Sequence, residues 1–480
     1  MKLQKVLSKL HIETKLELEI THIAGDSRKV IPGTLFVAIN GYSTDGHNFI
    51  KEAIKKGAVA IIGEKQHSET HPVPYFEVEN SRYALALCAK TFYAHERDLP
   101  TIIGITGTNG KTTTSFLIKH ILEVQGYSCA LFGTIGYTVN GTNYEASNTT
   151  PDALTLYKLL GQSNDEFAIL EVSSHGIQQG RVYGLELDYV LFTNLDHEHL
   201  DYHHSMENYF QVKASLFKQL KKDGHGIIFS GQSWGKRLVQ QLQNKHEVIS
   251  ISESDDADLK IDYEKKQLKW QDHSLTFQPL LPGKHNFINI SMAVETCRLI
   301  GLSLLRIKNA LEKNLYIPGR YEIFAHPNGG FIVVDYAHTS DALQKLFHSI
   351  QEQGAERIIH VFGFRGGRDK LKRKDMFRQS TNISHQTILT CDDLYGVEPQ
   401  TMFGELLDLY LEEKKENSRI IFDRTEAITF AWELAEKGDW IVITGKGHEP
   451  YQQDFQYPVK SDLDMIKKLL GELEKEHSAL

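Results

Sequence analysis

The stretch that decides the fold runs from Thr101 to Thr114 and reads Thr-Ile-Ile-Gly-Ile-Thr-Gly-Thr-Asn-Gly-Lys-Thr-Thr-Thr. Its apolar half predicts a buried strand, and its second half predicts a glycine loop that opens a helix. Backbone N–H groups of such a loop surround phosphate oxygens, the helix N-terminus adds partial positive charge, and Lys111 adds a full charge. Ile105 stands where the generic P-loop pattern has its first glycine. An ordinary glycine turn would not explain Lys-Thr-Thr-Thr at the helix start, so the stretch predicts nucleotide phosphate binding, with Thr112 reaching Mg²⁺.

Strands and helices alternate on both sides of this loop. At about 150 residues per domain, a chain of 480 residues is expected to form about three domains. We place them at residues 1–97, 98–319 and 320–480, with a linker at Pro318-Gly319. The central region has evenly spaced apolar runs at 101–106, 167–172, 189–194 and 226–229. The pattern predicts an α/β protein with a small N-terminal α/β unit, a doubly wound, mostly parallel central sheet and a third β/α unit.

Composition narrows the class of protein. The net charge of −9 argues against a nucleic-acid partner, which would require a basic face. The four cysteines are scattered without C-x-x-C spacing, so we expect reduced thiols rather than disulfides or a zinc site. No signal-peptide core and no long apolar run is present, so we expect a cytoplasmic protein without a membrane span.

Two strand ends bear side chains suited to the chemistry of bound phosphate. Glu171 ends the run 167–172, and the carboxyl ends of parallel strands face the ligand crevice. A carboxylate at that place suits Mg²⁺, although a helix-capping role is the simpler alternative. The next strand is followed by a histidine-rich loop at 197–204, without cysteines or an H-E-x-x-H frame. We therefore expect one histidine of the loop to support Mg²⁺ rather than a zinc site.

Seven short motifs occur in order along nearly the whole chain. They are Asp26-Ser27-Arg28, Gly107 to Thr113, Asn148-Thr149-Thr150-Pro151, Glu171-Val172-Ser173-Ser174-His175, His199-Leu200-Asp201-Tyr202-His203, Pro318-Gly319-Arg320 and Asp335-Tyr336-Ala337-His338. Each motif alone is a weak signal, but the set resembles the Mur ligases and, within them, the MurE branch. The resemblance implies an N-terminal domain that holds a uridine nucleotide, a central P-loop ATPase-like domain, and a C-terminal Rossmann-like domain that holds an amino acid.

The resemblance also implies roles for individual residues. The UDP part would contact Asp26, Ser27, Tyr42, Ser43 and Thr44, and the MurNAc-dipeptide would contact Asn148, Thr149, Thr150, Ser173, Gln179 and Arg181. ATP would contact Gly107, Thr108, Asn109, Gly110, Lys111, Thr112, Thr113, Asn286, Asn289, Arg320, Asp335 and His338. The Mg²⁺ ions would be held by Thr112, Glu171, His199 and a carbamylated Lys213, and Lys111, Glu171, His199 and Lys213 would form the catalytic set. Carbamylation would turn the Lys213 cation into an anion that can hold Mg²⁺.

The implied activity is ATP-dependent amide-bond formation in peptidoglycan precursor synthesis, and thus in cell shape and division. ATP would phosphorylate the D-Glu carboxylate of UDP-MurNAc-L-Ala-D-Glu, and the amine of a diamino acid would displace phosphate. The protein would mainly position anions and neutralise charge. ATP and Mg²⁺ are the expected cofactors, and we expect a monomer.

The amino-acid pocket departs from the family pattern. Arg368, Gly445 and Glu449 match relatives that use meso-diaminopimelate, but their Asp-Asn-Pro-Arg run is replaced by Asp392-Asp393-Leu394-Tyr395. Tyrosine cannot replace the charged fork of arginine. Arg368 is expected to bind one carboxylate, while the two aspartates would favour a distal ammonium. This charge pattern predicts that diaminopimelate is not strongly preferred over lysine or ornithine.

Three alternatives to a housekeeping ligase remain at this point. One is a MurE-like paralogue that ligates a different amino acid or acts in specialised metabolism. A second is a folylpolyglutamate-type ligase, against which the motifs at 26–28 and 148–150 argue. The third is a non-catalytic partner subunit that binds nucleotide, which the intact set of Lys111, Glu171, His199 and Lys213 disfavours.

Overall fold

The structure is a computed structural model of the 480-residue chain. It describes residues 1–41, 44–64, 71–94, 98–279, 281–367, 371–413 and 415–478. Three separate β-sheets, each flanked by helices, follow one another along this part of the chain. The predicted α/β fold class is therefore confirmed.

The first sheet contains four parallel strands among the residues described, in the order β1-β2-β3-β4. The strands are β1 (His22–Ala24), β2 (Thr34–Val37), β3 (Ala58–Gly63) and β4 (Tyr75–Glu77). The helices are α1 (Leu3–Ser8), α2 (Ile50–Lys55) and α3 (Ser81–Tyr93). Two apolar clusters, one on each face, bury this sheet.

The central sheet has eleven strands in the described part of the chain, ordered β15-β14-β13-β12-β11-β10-β5-β9-β6-β7-β8. Its strands are β5 (Thr101–Thr106), β6 (Cys129–Phe132), β7 (Tyr137–Val139), β8 (Thr142–Tyr144), β9 (Phe167–Glu171), β10 (Leu187–Phe192), β11 (Leu220–Phe229), β12 (Glu247–Ser252), β13 (Leu259–Asp262), β14 (Gln267–Lys269) and β15 (Ser274–Thr276). The helices are α4 (Lys111–Val124), α5 (Ala153–Gln162), α6 (Ser174–Gln178), α7 (Leu200–His203), α8 (Met206–Ala214), α9 (Ser233–Leu242), α10 (Lys284–Leu299) and α11 (Leu304–Leu311).

Strand β5 lies inside this sheet, between β9 and β10, and is parallel to both. Its apolar residues are needed on both faces, since Ile102 packs into one core cluster while Ile103 and Ile105 pack into the other. The strands β13-β12-β11-β10-β5-β9-β6 are parallel in this order, and the antiparallel pairs β14-β15 and β7-β8 extend the two edges. The loops after β5, β9 and β10 consequently meet at one edge of the sheet.

The third sheet has six strands within the described ranges, ordered β16-β17-β21-β18-β19-β20, of which only β16 runs antiparallel to its neighbour. The strands are β16 (Glu322–Ala325), β17 (Phe331–Val334), β18 (Ile358–Phe364), β19 (Gln386–Cys391), β20 (Ser418–Ile420) and β21 (Trp440–Ile443). The helices are α12 (Ser340–Gln351), α13 (Leu371–Ile383), α14 (Pro399–Glu413), α15 (Arg424–Leu434) and α16 (Asp462–Ser478). In the ranges described, no helix has the length and apolar character to cross a bilayer.

Candidate active site

The phosphate loop is built by two glycines that no other residue can replace without strain. Gly107 has φ +146° and Gly110 has φ +86°, and side chains there would collide with Thr193 and Asn289 respectively. Lys111, at the first position of α4, donates to the carbonyls of Gly107 (2.9 Å) and Thr108 (2.8 Å). Its ammonium is thereby held against the loop backbone that would bind a phosphate.

Glu171 is the buried carboxylate beside this loop. The structure leaves it fully buried at the end of β9, where it accepts hydrogen bonds from Thr112 Oγ1 (2.8 Å), Thr134 Oγ1 (2.9 Å) and the Thr134 amide (3.2 Å). The predicted juxtaposition with Thr112 is thus present. A buried carboxylate with neutral donors and an adjacent hydroxyl is a donor set that suits Mg²⁺.

The histidine-rich loop forms an aromatic cluster. His175 packs against the rings of His199, Tyr202 and His203, with centroids 4.1–5.7 Å away. Burial, with the charge of His199, lowers the pKa of His203 to about 4, and His203 Nε2 lies 2.9 Å from Ser174 Oγ. His199 has a left-handed backbone (φ 57°), and burial lowers its pKa. A neutral imidazole at the edge of the phosphate cleft can act as a metal ligand.

Lys213 lies on α8 with its side chain almost completely buried. Its Nζ donates to Gly107 O at 2.7 Å and lies 4.7 Å from the ring centre of Tyr209. No carboxylate of the described residues lies within ion-pair distance of it. Burial and then the charge of Lys111 lower its pKa well below the usual value, against the opposing charge of Glu198. The neutral amine that this favours is the form that reacts with CO₂.

The residues predicted to hold the muramoyl dipeptide cluster around the end of β9. Thr150 Oγ1 donates to Glu171 O (2.9 Å) and accepts from the Ser173 amide (2.9 Å). Arg181 donates to Thr150 O (2.7 Å) and to Gln179 Oε1 (2.7 Å). Thr149 Oγ1 lies 3.2 Å from Thr134 Oγ1, and Asn148 O accepts from Tyr137 (2.5 Å). The residues at 148–150 therefore form a polar wall that begins at Glu171, the carboxylate suited to Mg²⁺.

The residues predicted for the UDP part lie apart from this cleft. Asp26 accepts from the Arg28 amide (2.9 Å) and its guanidinium (2.7 Å), and Ser27 is buried in the turn that follows. Thr44 is described but does not line the cleft. Tyr42 and Ser43 lie outside the described residues.

The third sheet covers the phosphate loop and closes a cleft of about 930 Å³. Arg320 donates to Thr112 Oγ1 (3.3 Å) and lies over the Tyr336 ring (4.2 Å). His338 Nε2 lies 3.1 Å from Glu198 Oε1. Asp335, whose pKa is raised by burial, accepts from the amides of Tyr321 and Ala337 (both 2.8 Å). Asn286 and Asn289 line the same cleft from α10. The five residues predicted to contact ATP outside the phosphate loop therefore all line one cleft: Asn286, Asn289, Arg320, Asp335 and His338.

The amino-acid pocket differs from the expectation in its charges. Asp392 forms an ion pair with the fully buried Arg424 (2.6 Å), which also binds Asp462 (2.7 Å). Asp393 forms an ion pair with the buried Lys446. Although burial disfavours its charge, the carboxylates of Asp462 and Asp392 raise the pKa of Arg424. The two aspartates are thus neutralised within the protein, and the premise that they present free negative charge to a substrate ammonium does not hold.

Other predicted pocket residues are placed as follows. Gly445, with φ +104°, lines the cleft beside Asp392. Glu449 accepts from the Tyr336 hydroxyl (2.8 Å) and forms an ion pair with Arg365. Tyr395 is 56% exposed at φ 48°. Arg368 lies outside the described residues.

Sequence reasoning missed Glu198 and Arg365. Glu198 lies in the loop after β10, Arg365 directly follows β18, and both residues line the cleft. Burial opposes the charge of Glu198, but His338 and His199 more than compensate and lower its pKa. The available signal was position, since charged residues at strand ends in such sheets face the ligand crevice.

Comparisons with known proteins agree with this architecture. Family models match as "Mur ligase family, catalytic domain" at 19–93, "Mur ligase middle domain" at 105–297 and "Mur ligase, glutamate ligase domain" at 319–447. The UDP-N-acetylmuramoyl-L-alanyl-D-glutamate–2,6-diaminopimelate ligase of Clostridium tetani is 36% identical, covering 98% of this chain and all of that protein. Its Clostridium botulinum counterpart is 37% identical over 90% and 91%. A solved structure of a ligase of the same name is 28% identical, with a TM-score of 0.70 and coverage of 99% and 100%. With similarity of this extent over its full length, the chain belongs to the Mur ligase family.

Proposed function

We propose that this protein is an ATP-dependent ligase that joins a diamino acid to UDP-MurNAc-L-Ala-D-Glu, with 2,6-diaminopimelate as the acceptor. The observation that carries the proposal is the buried Glu171 carboxylate, which Thr112 and Thr134 hold between the phosphate loop and the polar wall at 148–150. This arrangement suits a reaction that brings a nucleotide phosphate to a carboxylate substrate. The full-length similarity to 2,6-diaminopimelate ligases supports the same assignment.

The nucleotide is assigned to the cleft between the central and third sheets. Its phosphates would be held by the loop amides, the Lys111 ammonium and the N-terminus of α4. Asn286 and Asn289 would lie on the base side, and Arg320, Asp335 and His338 on the side of the third sheet. Because Lys111 is already held by two loop carbonyls, little reorganisation is needed when charge develops on the phosphoryl group.

Thr112 and Glu171 fit part of a magnesium site, to which we also assign His199. Thr112 and Glu171 offer oxygen donors at hydrogen-bonding distance from each other, and His199 offers a neutral imidazole. When bound, Mg²⁺ neutralises phosphate charge and orients the phosphoryl group. Lys213 is assigned to the same site as its carbamate. Burial without a carboxylate partner among the described residues favours the neutral amine, and the carbamate would place a negative charge beside the cationic Lys111.

The reaction follows from this placement. A D-Glu carboxylate oxygen attacks the γ-phosphorus, the bond to the bridging oxygen breaks, and ADP leaves. The acceptor amine then attacks the acyl carbon of the acyl phosphate, loses a proton, and expels inorganic phosphate to form the amide. Lys111 and the loop amides stabilise the charge on the transferred phosphoryl group, while the residues at 148–150 position the carboxylate.

The N-terminal unit is assigned to the uridine nucleotide through Asp26, Ser27, Tyr42, Ser43 and Thr44. Each of the three proposed domains, 1–97, 98–319 and 320–480, would thus hold one substrate. We further propose that the ligase acts as a cytoplasmic monomer, because one chain supplies the loop, the carboxylate and the covering sheet of the cleft.

The test is phosphate release by the purified protein with ATP and Mg²⁺ while each substrate is omitted in turn. Release is expected only when UDP-MurNAc-L-Ala-D-Glu and a diamino acid are both present. Release that depends on a folate and glutamate would instead identify a folylpolyglutamate-type ligase. Nucleotide binding without release under any combination would identify a non-catalytic subunit.

A further inference from the structure

Three ion pairs involve residues predicted for the amino-acid pocket or their neighbours, and they differ in their access to a ligand. The side chains of Arg424 and Lys446 are 0% exposed, and their aspartate partners are also buried. In the third pair, Arg365 is 19% exposed and Glu449 is 21% exposed. Arg365 lines the large cleft. Of the three pairs, the Arg365–Glu449 pair alone presents both charges at an accessible surface.

The structure holds this pair in place on both sides. Glu449 Oε1 accepts from the Tyr336 hydroxyl at 2.8 Å. Arg365 directly follows β18, and its carbonyl accepts from Arg373 at 3.2 Å. The next amide, Gly366 N, donates to Asp393 O at 2.9 Å and joins this loop to the 392–395 run. The guanidinium therefore has a defined position at the pocket wall.

We propose that Arg365 and Glu449 together bind the distal, zwitterionic end of the acceptor amino acid, so that Arg365 determines specificity for a diamino diacid. The proposal rests on the ligase function proposed above. A distal carboxylate would accept two parallel hydrogen bonds from the guanidinium, and the neighbouring ammonium would donate to Glu449. Each half of the pair would exchange its present partner for the opposite charge of the ligand.

The same geometry disfavours an acceptor that ends in an ammonium alone. The side-chain ammonium of lysine or ornithine would bind Glu449 next to the Arg365 guanidinium. The two cations would then share the Glu449 carboxylate. Asp392 and Asp393 cannot compensate, because Arg424 and Lys446 already neutralise them.

Tyr395 lies beside the pair and supplies no cation of its own. Its ring centre lies 6.0 Å from the Arg365 guanidinium carbon, and a phenol cannot replace the charged fork of a guanidinium. Arg365 therefore supplies a cation at this end of the pocket, from the loop that follows β18.

The test compares meso-diaminopimelate with the analogue in which the distal carboxylate is a carboxamide, which has nearly the same size and no distal negative charge. On the unmodified enzyme we expect kcat/KM to be about 30-fold higher for the acid, as for the loss of one charged hydrogen-bonded contact. In Arg365→Gln the ratio should fall below about 3-fold, and kcat/KM for lysine should not fall. The matched control is Arg378→Gln, which removes an exposed arginine paired with Glu413 in the same sheet unit and should keep the 30-fold ratio.

Two results would overturn the assignment of Arg365. One is an unmodified enzyme that uses the acid and the amide equally well, a measurement that does not depend on whether the variant folds. The other is an Arg365→Gln enzyme that keeps the full ratio. Failure of the ligase proposal itself is distinguishable, because the unmodified enzyme would then release no phosphate with any diamino acid.

Discussion

Lys111 is the residue whose removal most directly tests how the phosphate loop works. The Lys111→Ala change deletes a half-buried ammonium that is bound to the carbonyls of Gly107 and Thr108 at 2.9 and 2.8 Å. Unit charges about 4 Å apart interact by about 4 kcal/mol at an effective dielectric constant of about 20. The share realised only in the transition state corresponds to about 2.7–4 kcal/mol, or a loss of about 10²–10³-fold in kcat.

The effect on stability should be small in comparison. The variant loses two hydrogen bonds to the loop, but it also loses a half-buried ammonium whose pKa is lowered by desolvation. These contributions oppose each other, and we expect the free energy of unfolding to change by about 1 kcal/mol or less. The matched control is Lys119→Ala on the same helix, which removes an i,i+4 pair with Glu123 worth about 0.2–0.5 kcal/mol and should keep full activity.

The assay is steady-state ADP formation at saturating substrates, with thermal unfolding of each variant measured beside it. A Lys111→Ala enzyme that unfolds at the normal temperature and retains more than about a tenth of the normal kcat would refute this account of the loop. Loss of activity accompanied by an equal loss in Lys119→Ala would also refute it.

Three further outcomes follow from the same structure. Lys213→Ala should abolish activity, and acetate or formate should partly restore it by replacing the carbamate, whereas the exposed Lys218→Ala should need no rescue; a high-resolution map of active enzyme with unmodified Lys213 would be incompatible with this. Arg424→Gln leaves two buried carboxylates without their cation and should destabilise the fold by about 3–5 kcal/mol in urea unfolding, and a change under about 1 kcal/mol would show that the charges are otherwise compensated. Burial lowers the pKa of His360 from 6.5 to about 3, so the unfolded chain binds the additional proton between these values and stability is lost as pH falls through them. In His360→Gln, unfolding between these pH values should take up one proton fewer per molecule, so the free energy of unfolding should fall less steeply as the pH falls. An unchanged pH slope would count against a neutral, buried His360.

The sequence could predict what depends on local pattern. Strand β5 and the start of α4 occur as predicted, because a buried parallel strand requires an apolar run and the loop requires glycine at Gly107 and Gly110. The edge strands β7, β8, β14 and β15 were not predicted, since each is three residues long and is set by hairpin pairing rather than by apolar content. Short polar strands carry too little periodicity to be recognised.

The charges of the amino-acid pocket could not be read from the sequence. Asp392 and Arg424 are 32 residues apart, and Glu198 and His338 are 140 residues apart. Only the tertiary fold decides that Asp392 meets a buried guanidinium before it can meet a ligand. The prediction of a distal ammonium failed in its premise for that reason. The residues at 148–150 adjoin Glu171 because the loop before α5 reaches the end of β9, where Thr150 Oγ1 donates to Glu171 O.

The direct test of the central claim is oxygen transfer from the carboxylate substrate. UDP-MurNAc-L-Ala-D-Glu labelled with ¹⁸O in the D-Glu side-chain carboxylate is converted with ATP, Mg²⁺ and diaminopimelate, and the released phosphate is analysed by mass. Activation as an acyl phosphate predicts one ¹⁸O atom in each phosphate released, with ADP as the nucleotide product. Phosphate without ¹⁸O, or label in AMP, would contradict the assignment.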